Sequence, residues 1–216
     1  MGMGSARRAF CKIMHRLVVT CYLNFQRMTN PGQLLKKKNK IFVIVGSASN
    51  YSSNEKLVEI IAARTKDHFE LLVYKDLKKL PHFDPDLSND NPPESIINLR
   101  NAIQNSDGLI ICTPEYIFSI PGSLKNAIEW CVATTVFSDK PTGLITASLS
   151  GKIAHEELML IMKTVMCKFT DETSLLIEGI KGKMDMNGQL NDKKTDEELD
   201  RFIVSMKNLV DGASQS

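Results

Sequence analysis

Leu109-Ile110-Ile111-Cys112-Thr113-Pro114-Glu115-Tyr116-Ile117-Phe118-Ser119-Ile120-Pro121-Gly122-Ser123-Leu124-Lys125-Asn126-Ala127-Ile128-Glu129-Trp130 holds a strand, a loop and a helix in twenty-two residues. The opening apolar run does not alternate with polar residues. It therefore reads as a strand buried on both faces, as in a parallel sheet. Pro114 ends the strand. Pro121 suits a helix start, because its missing N–H would have no intrahelical partner there, and Leu124, Ala127, Ile128 and Cys131 follow at helical spacing. The loop between them carries an acid, two aromatics and a serine. It leaves the carboxyl end of a strand, where open α/β sheets bind ligands.

The same alternation extends in both directions. Ile41-Phe42-Val43-Ile44-Val45 predicts a first core strand that stops at Gly46. The hydroxyl-rich run Gly46-Ser47-Ala48-Ser49-Asn50-Tyr51-Ser52-Ser53-Asn54 then precedes a helix with Leu57, Ile60 and Ile61 on one face. A strand, a serine loop and a helix N-terminus together offer O–H donors, free backbone N–H groups and a positive dipole end to a phosphate. Helix capping by Ser52, Ser53 and Asn54 is the simpler reading of the same residues. Further strands are expected at residues 69–74, 142–147 and 175–177. Helices are expected at residues 94–105, 155–168 and 195–209, the last with a Thr195/Glu198 capping box. Residues 80–93, rich in proline and acids, form an irregular connection, and residues 178–192, with three glycines, a loop or hairpin.

Thr113-Pro114-Glu115-Tyr116, Ser119-Ile120-Pro121-Gly122 and Leu124-Lys125-Asn126-Ala127 resemble the T-P-E-Y-x-x-S-I-P-G-x-L-K-N-A signature of the NADPH-dependent FMN reductases, a flavodoxin-like family with chromate, quinone and azo reductase relatives. The resemblance runs over about residues 40–169. It implies an α/β fold with a doubly wound, five-stranded parallel sheet of order 2-1-3-4-5, and a ligand crevice between the first and third strands. The implied cofactor is FMN, with NADPH or NADH as co-substrate. Its phosphate would lie at Ser47, Ser49, Ser52, Ser53 and Asn54, and its ring against Pro114, Glu115, Tyr116, Ile117, Phe118 and Ser148. The chain departs from the family pattern at three places. Ser49 stands where an arginine is usual in G-S-x-R-x-x-S-x-N, Leu149 and Ser150 replace part of S-A-S-P-G-G, and Ile117-Phe118 replace a polar and a small residue.

The implied activity is NAD(P)H-dependent oxidoreduction with ping-pong hydride transfer through FMN to a flavin, quinone, azo dye or oxyanion, and the flavin leaves no catalytic side chain to assign. A flavodoxin-like electron carrier, and a phosphate-ligand-binding module without flavin, remain as alternatives from other classes. The family resemblance also implies a homodimer or tetramer, for which Phe118, Trp130 and Phe137 are the expected exposed contacts, while Trp130 by its residue type alone reads as core or interface.

Composition restricts the rest. All 25 acids lie beyond residue 54, whereas nine of the 27 Lys and Arg lie within residues 1–40. That leaves 18 cations against 25 acids, about −7, over residues 41–216, which argues against a nucleic-acid binder. No segment approaches the roughly 18 apolar residues of a membrane span. Five scattered cysteines without a C-x-x-C pair argue against a disulfide framework and a zinc site, and favour a reducing, cytoplasmic setting. Cys112 and Cys131 read as buried structural thiols, and the four histidines have neither ligand nor triad spacing. Residues 1–38 read as a basic leader, disordered, non-native or targeting. Residues 39–211 read as the FMN-binding domain, and 212–216 as a tail.

Overall fold

The computed structural model describes residues 37–47, 49 and 52–213, so the expected basic leader lies outside them up to residue 36. Five strands, β1 (Asn39–Val45), β2 (Phe69–Tyr74), β3 (Gly108–Thr113), β4 (Thr142–Ser148) and β5 (Ser174–Glu178), pair in parallel in the order β2-β1-β3-β4-β5. This is the expected doubly wound sheet. Six helices connect or follow the strands: α1 (Ser53–Thr65), the short α2 (Pro85–Ser88), α3 (Glu94–Gln104), α4 (Gly122–Glu129), α5 (Lys152–Thr164) and α6 (Lys193–Ala213).

Every residue of β3 is buried, because helices cover both faces of the sheet. Successive strand side chains point to opposite faces. Phe42, Ile44, Leu109, Ile111 and Leu144 pack with α3, α4 and α5, while Ile41, Val43, Val45, Ile110 and Ile145 pack with α1 and α6. Each such side chain contributes about 1.5–3 kcal/mol on leaving water.

Three expectations need correction. Trp130 and Phe137 are core residues, not exposed contacts, with 0% and 2% of their surface accessible. The Trp130 indole N–H donates to the Pro81 carbonyl at 2.8 Å, and Phe83 stacks edge-on at 5.4 Å. α5 starts three residues before His155 and ends at Thr164, after which Met166 turns the chain with a φ of 62°. The cap of α6 is Asp192 rather than Thr195: its Oδ1 accepts from the Thr195 N–H at 2.9 Å and from the buried Thr195 hydroxyl at 2.6 Å. α6 also runs on to Ala213, into the segment expected to be a tail.

His155 locks α5 onto the sheet. Its Nδ1 lies 2.9 Å from Thr146 Oγ1 on β4, and its Nε2 lies 3.1 Å from Ser174 Oγ on β5. Burial lowers its pKa below the ordinary 6.5, against the opposing pull of Glu156. The unfolded chain therefore binds a proton here that the folded chain refuses, so stability present above about pH 6.5 is lost as the pH falls from there toward the folded value. The urea midpoint should drop between pH 7.5 and pH 5.5, and the drop should be shallower in His155→Gln. A wild-type midpoint that stays flat over that range would contradict this role.

Candidate functional site

The carboxyl ends of four strands surround a cavity of about 520 Å³. The loop after β1 brings Ser47, Ser49, Ser52, Ser53 and Asn54 to it, the loop after β3 brings Pro114, Glu115 and Tyr116, and the end of β4 brings Ser148. Nine of the eleven expected site residues thus line one space. Ile117 and Phe118 do not line it; they form a turn immediately beyond Tyr116. A fourth wall, residues 179–182 after β5, was read from the sequence only as part of a loop or hairpin.

The capping and ligand readings of the serine loop are compatible. Ser52 Oγ accepts from the Glu55 N–H at 3.2 Å as the N-cap of α1, and Ser47 Oγ accepts from the Ser49 N–H at 3.2 Å. Each bond occupies an oxygen lone pair and leaves the hydroxyl proton free to be donated. The first-turn N–H groups of Ser53 and Asn54 have no helical acceptor, by the geometry of any helix start. The Asn54 side chain is differently committed. It is 3% exposed, donates from Nδ2 to the Ala147 carbonyl at 3.1 Å, and accepts at Oδ1 from the Cys112 thiol at 3.3 Å. It ties α1 to β3 and β4, leaving its backbone for a ligand.

The second loop is bolted to α5 by two carboxylates. Glu115 accepts through Oε1 from the Gly151 N–H and through Oε2 from the Ala154 N–H, both at 3.2 Å. Glu157 Oε2 accepts from the Ser119 hydroxyl at 2.7 Å and the Ile120 N–H at 3.0 Å. Gly151 sits at the N-cap of α5 with a φ of 90° and has no side chain to cap the helix, so Glu115 does so from another loop. The Gly151 N–H is consequently unavailable to a ligand ring, as is the Tyr116 N–H, which donates to Ser119 at 2.9 Å.

Between Tyr116 and Ser119 lies a two-residue hairpin turn with Ile117 at φ 51° and Phe118 at φ 58°. Two consecutive positive φ values are those of a type I′ turn, which favours Asn-Gly. A β-branched residue there is strained. Ile117 is 96% exposed and Phe118 67%, so burial offers little compensation.

The three described cysteines give no nucleophile. Burial raises the Cys112 pKa far above its ordinary value and pushes Cys131 up to about 12 and Cys167 to about 11, so all three stay as thiols. No group of three or more metal-ligating side chains occurs among the described residues.

The cavity fits FMN on these observations. Its size falls within the roughly 300–1,000 Å³ of small-ligand pockets, hydroxyl donors and helix-start N–H groups gather at the β1 side, and Pro114, Tyr116 and Leu149 supply flatter, more apolar walls.

Replacing Ile117-Phe118 by Asn-Gly should remove strain of about 1–3 kcal/mol per relieved residue. The expected readout is a melting temperature raised by several degrees. An unchanged or lowered melting temperature would contradict the strained turn.

Residues 39–179 match the family model for NADPH-dependent FMN reductase. The chain is 30% identical over 166 residues to the NADH:(hydroxy)cinnamate reductase subunit CrdA of Vibrio ruber, covering 74% of this chain and 81% of that one. It is 29% identical over 170 residues to a 2-hydroxy-1,4-benzoquinone reductase of a Burkholderia species, covering 76% and 92%. Among solved structures it is similar to FerB, a flavoenzyme NAD(P)H:(acceptor) oxidoreductase of Paracoccus denitrificans, with a TM-score of 0.72, 26% identity, and coverage of 81% and 98%. With the parallel sheet, the switch-point cavity and the matched signature in place, the chain belongs to the NADPH-dependent FMN reductase family.

Proposed function

We propose that the chain binds FMN in this cavity, phosphate toward Ser47 and Ser52 and ring toward residues 114–116 and Ser148, and reduces a flat, apolar acceptor of the quinone class with NAD(P)H. The observation that carries the choice of acceptor is the exposed apolar rim. Tyr116 and Leu149 line the cavity and are 45% and 89% exposed, and Ile117 and Phe118 follow Tyr116 directly. The Burkholderia relative, named for a benzoquinone, supports the same choice.

FMN bound here would supply the redox chemistry, hydride acceptance from a nicotinamide and electron delivery to a second substrate. The chain supplies placement. Ser47 and Ser52 would donate O–H hydrogen bonds to the phosphate, and the Glu115 and Glu157 carboxylates hold the residue 114–121 loop in one position against α5. The apolar rim excludes water from the open side. A hydrated oxyanion would have to shed polar solvation to reach it, whereas a quinone would not. With the ring against residues 114–116 and Ser148, donor and acceptor would share the open side and bind in turn.

The rim also supports a second-copy contact. Ile117, Phe118 and Leu149, with Ile153 and Leu160 one heptad apart on α5, are exposed around the α5 end of the site. These take the place of Trp130 and Phe137 in the proposed homodimer. A reducing, cytoplasmic setting belongs to the same proposal, supported by the free thiols Cys112, Cys131 and Cys167.

Initial rates with NADPH and a quinone varied together should give parallel lines, and intersecting lines would refute the shared face. Phe118→Gly, whose backbone suits the positive φ, should raise oxyanion reduction relative to quinone reduction. An unchanged ratio would remove Phe118 from acceptor choice.

Light scattering at micromolar concentration should give a dimer or a dimer of dimers, and Ile153→Lys with Leu160→Lys should give a monomer. A wild-type monomer, or a variant that still assembles, would refute this contact.

A further inference from the structure

The β1 loop offers hydroxyls and N–H groups but no cation among its described residues, and Glu55 adds a negative charge to the first turn of α1. A bound phosphate monoester carries up to two negative charges. Neutral donors hold such a group less strongly than a charged one. Of the described residues lining the cavity, Lys181 alone is cationic. The other charged lining residue, Glu115, has both oxygens engaged by α5.

The chain places Lys181 by local geometry. β5 ends at Glu178, and Gly179, at φ 65°, turns the backbone while its N–H donates to the Leu149 carbonyl at 3.0 Å. Ile180 then sinks into the α1/α6 side of the core, 3% exposed, and anchors the 3₁₀ turn Ile180–Lys183. The segment continues to Gly188, which packs so closely on the Lys56 stem of α1 that an added Cβ would lie 2.5 Å from Lys56 Cδ. Residues 179–188 therefore run from β5 to Lys56 on α1, the helix whose first residues, Ser53 and Asn54, line the cavity. Lys181 is exposed and has no ion-pair partner among the described residues, whereas Lys75 pairs with Glu55 at 3.4 Å and Lys125 with Glu129 at 2.7 Å.

We infer that Lys181 is the cationic phosphate contact of the cofactor site, supplied from the loop after β5 because Ser49 provides no charge from the loop after β1. This rests on the FMN reading above. The lysine stem is flexible and the ammonium is a point charge, so one residue can reach a phosphate without fork geometry. The ring walls would be unaffected by its loss.

The test is binding by the full-length apoprotein, read by quenching of flavin fluorescence, for FMN and for riboflavin, which lacks the phosphate. Lys181→Ala should weaken FMN about tenfold or more, leave riboflavin unchanged, and flatten the salt dependence of FMN binding. Lys181→Arg should retain FMN binding, and Ser49→Arg added to Lys181→Ala should restore it from the opposite wall. Equal losses for both flavins would place Lys181 on the ring or in the fold and overturn the inference, as would an unchanged FMN affinity. Failure of the wild type to bind either flavin would overturn the FMN reading and this assignment together.

Discussion

A helix that begins on glycine has no side chain with which to satisfy its own first N–H groups, and α5 begins after Gly151. The carboxylate that caps it comes from Glu115, in the loop after β3. Losing an N-cap costs about 0.5–2 kcal/mol, but here the same two bonds also set the distance between two walls of the cavity. Glu157 repeats the arrangement in reverse, reaching from α5 to Ser119 and Ile120. With both ends of the loop fixed, the strained Ile117-Phe118 turn is held out at the rim rather than relaxed into the core.

The site is thus built from bonds between loops that leave the sheet at the same edge. Asn54 adds a buried tie from α1 to the end of β4, and Gly179 joins the end of β5 to Leu149. Each tie removes freedom from a wall before any ligand arrives, which favours a cofactor held in one pose. The same economy explains why the described residues offer no free general acid or nucleophile at the site: the Cys112 and Cys131 thiols are buried and stay protonated, and His155 is engaged at both nitrogens by the sheet.

The strands themselves were legible because apolar runs ending in Gly46, Pro114 and Ser148 are local signals, whereas their order and the switch-point crevice followed from the family resemblance of the 113–127 signature. The contacts that were misread depend on partners distant in sequence. Trp130 is buried by Pro81 and Phe83, forty-nine and forty-seven residues upstream, which no helical spacing announces. The start of α5 was placed late because its cap lies thirty-six residues away in Glu115. Asn54 lines the cavity as expected, while the bond from its side chain to Ala147 appears only when α1 is laid against β4. Lys181 carried no motif at all. Its one available signal was the single charge in a glycine-bounded loop at a strand's carboxyl end.

A flavin held in this fold should be reduced there by a nicotinamide. The most direct measurement is the visible absorption spectrum of the FMN-reconstituted protein under anaerobic conditions, before and after adding NADPH or NADH. Oxidised-flavin bands should co-elute with the protein and bleach within the time of mixing. Bands that persist through both additions would indicate an electron carrier, and a protein that emerges from reconstitution without bands would contradict the flavin site itself.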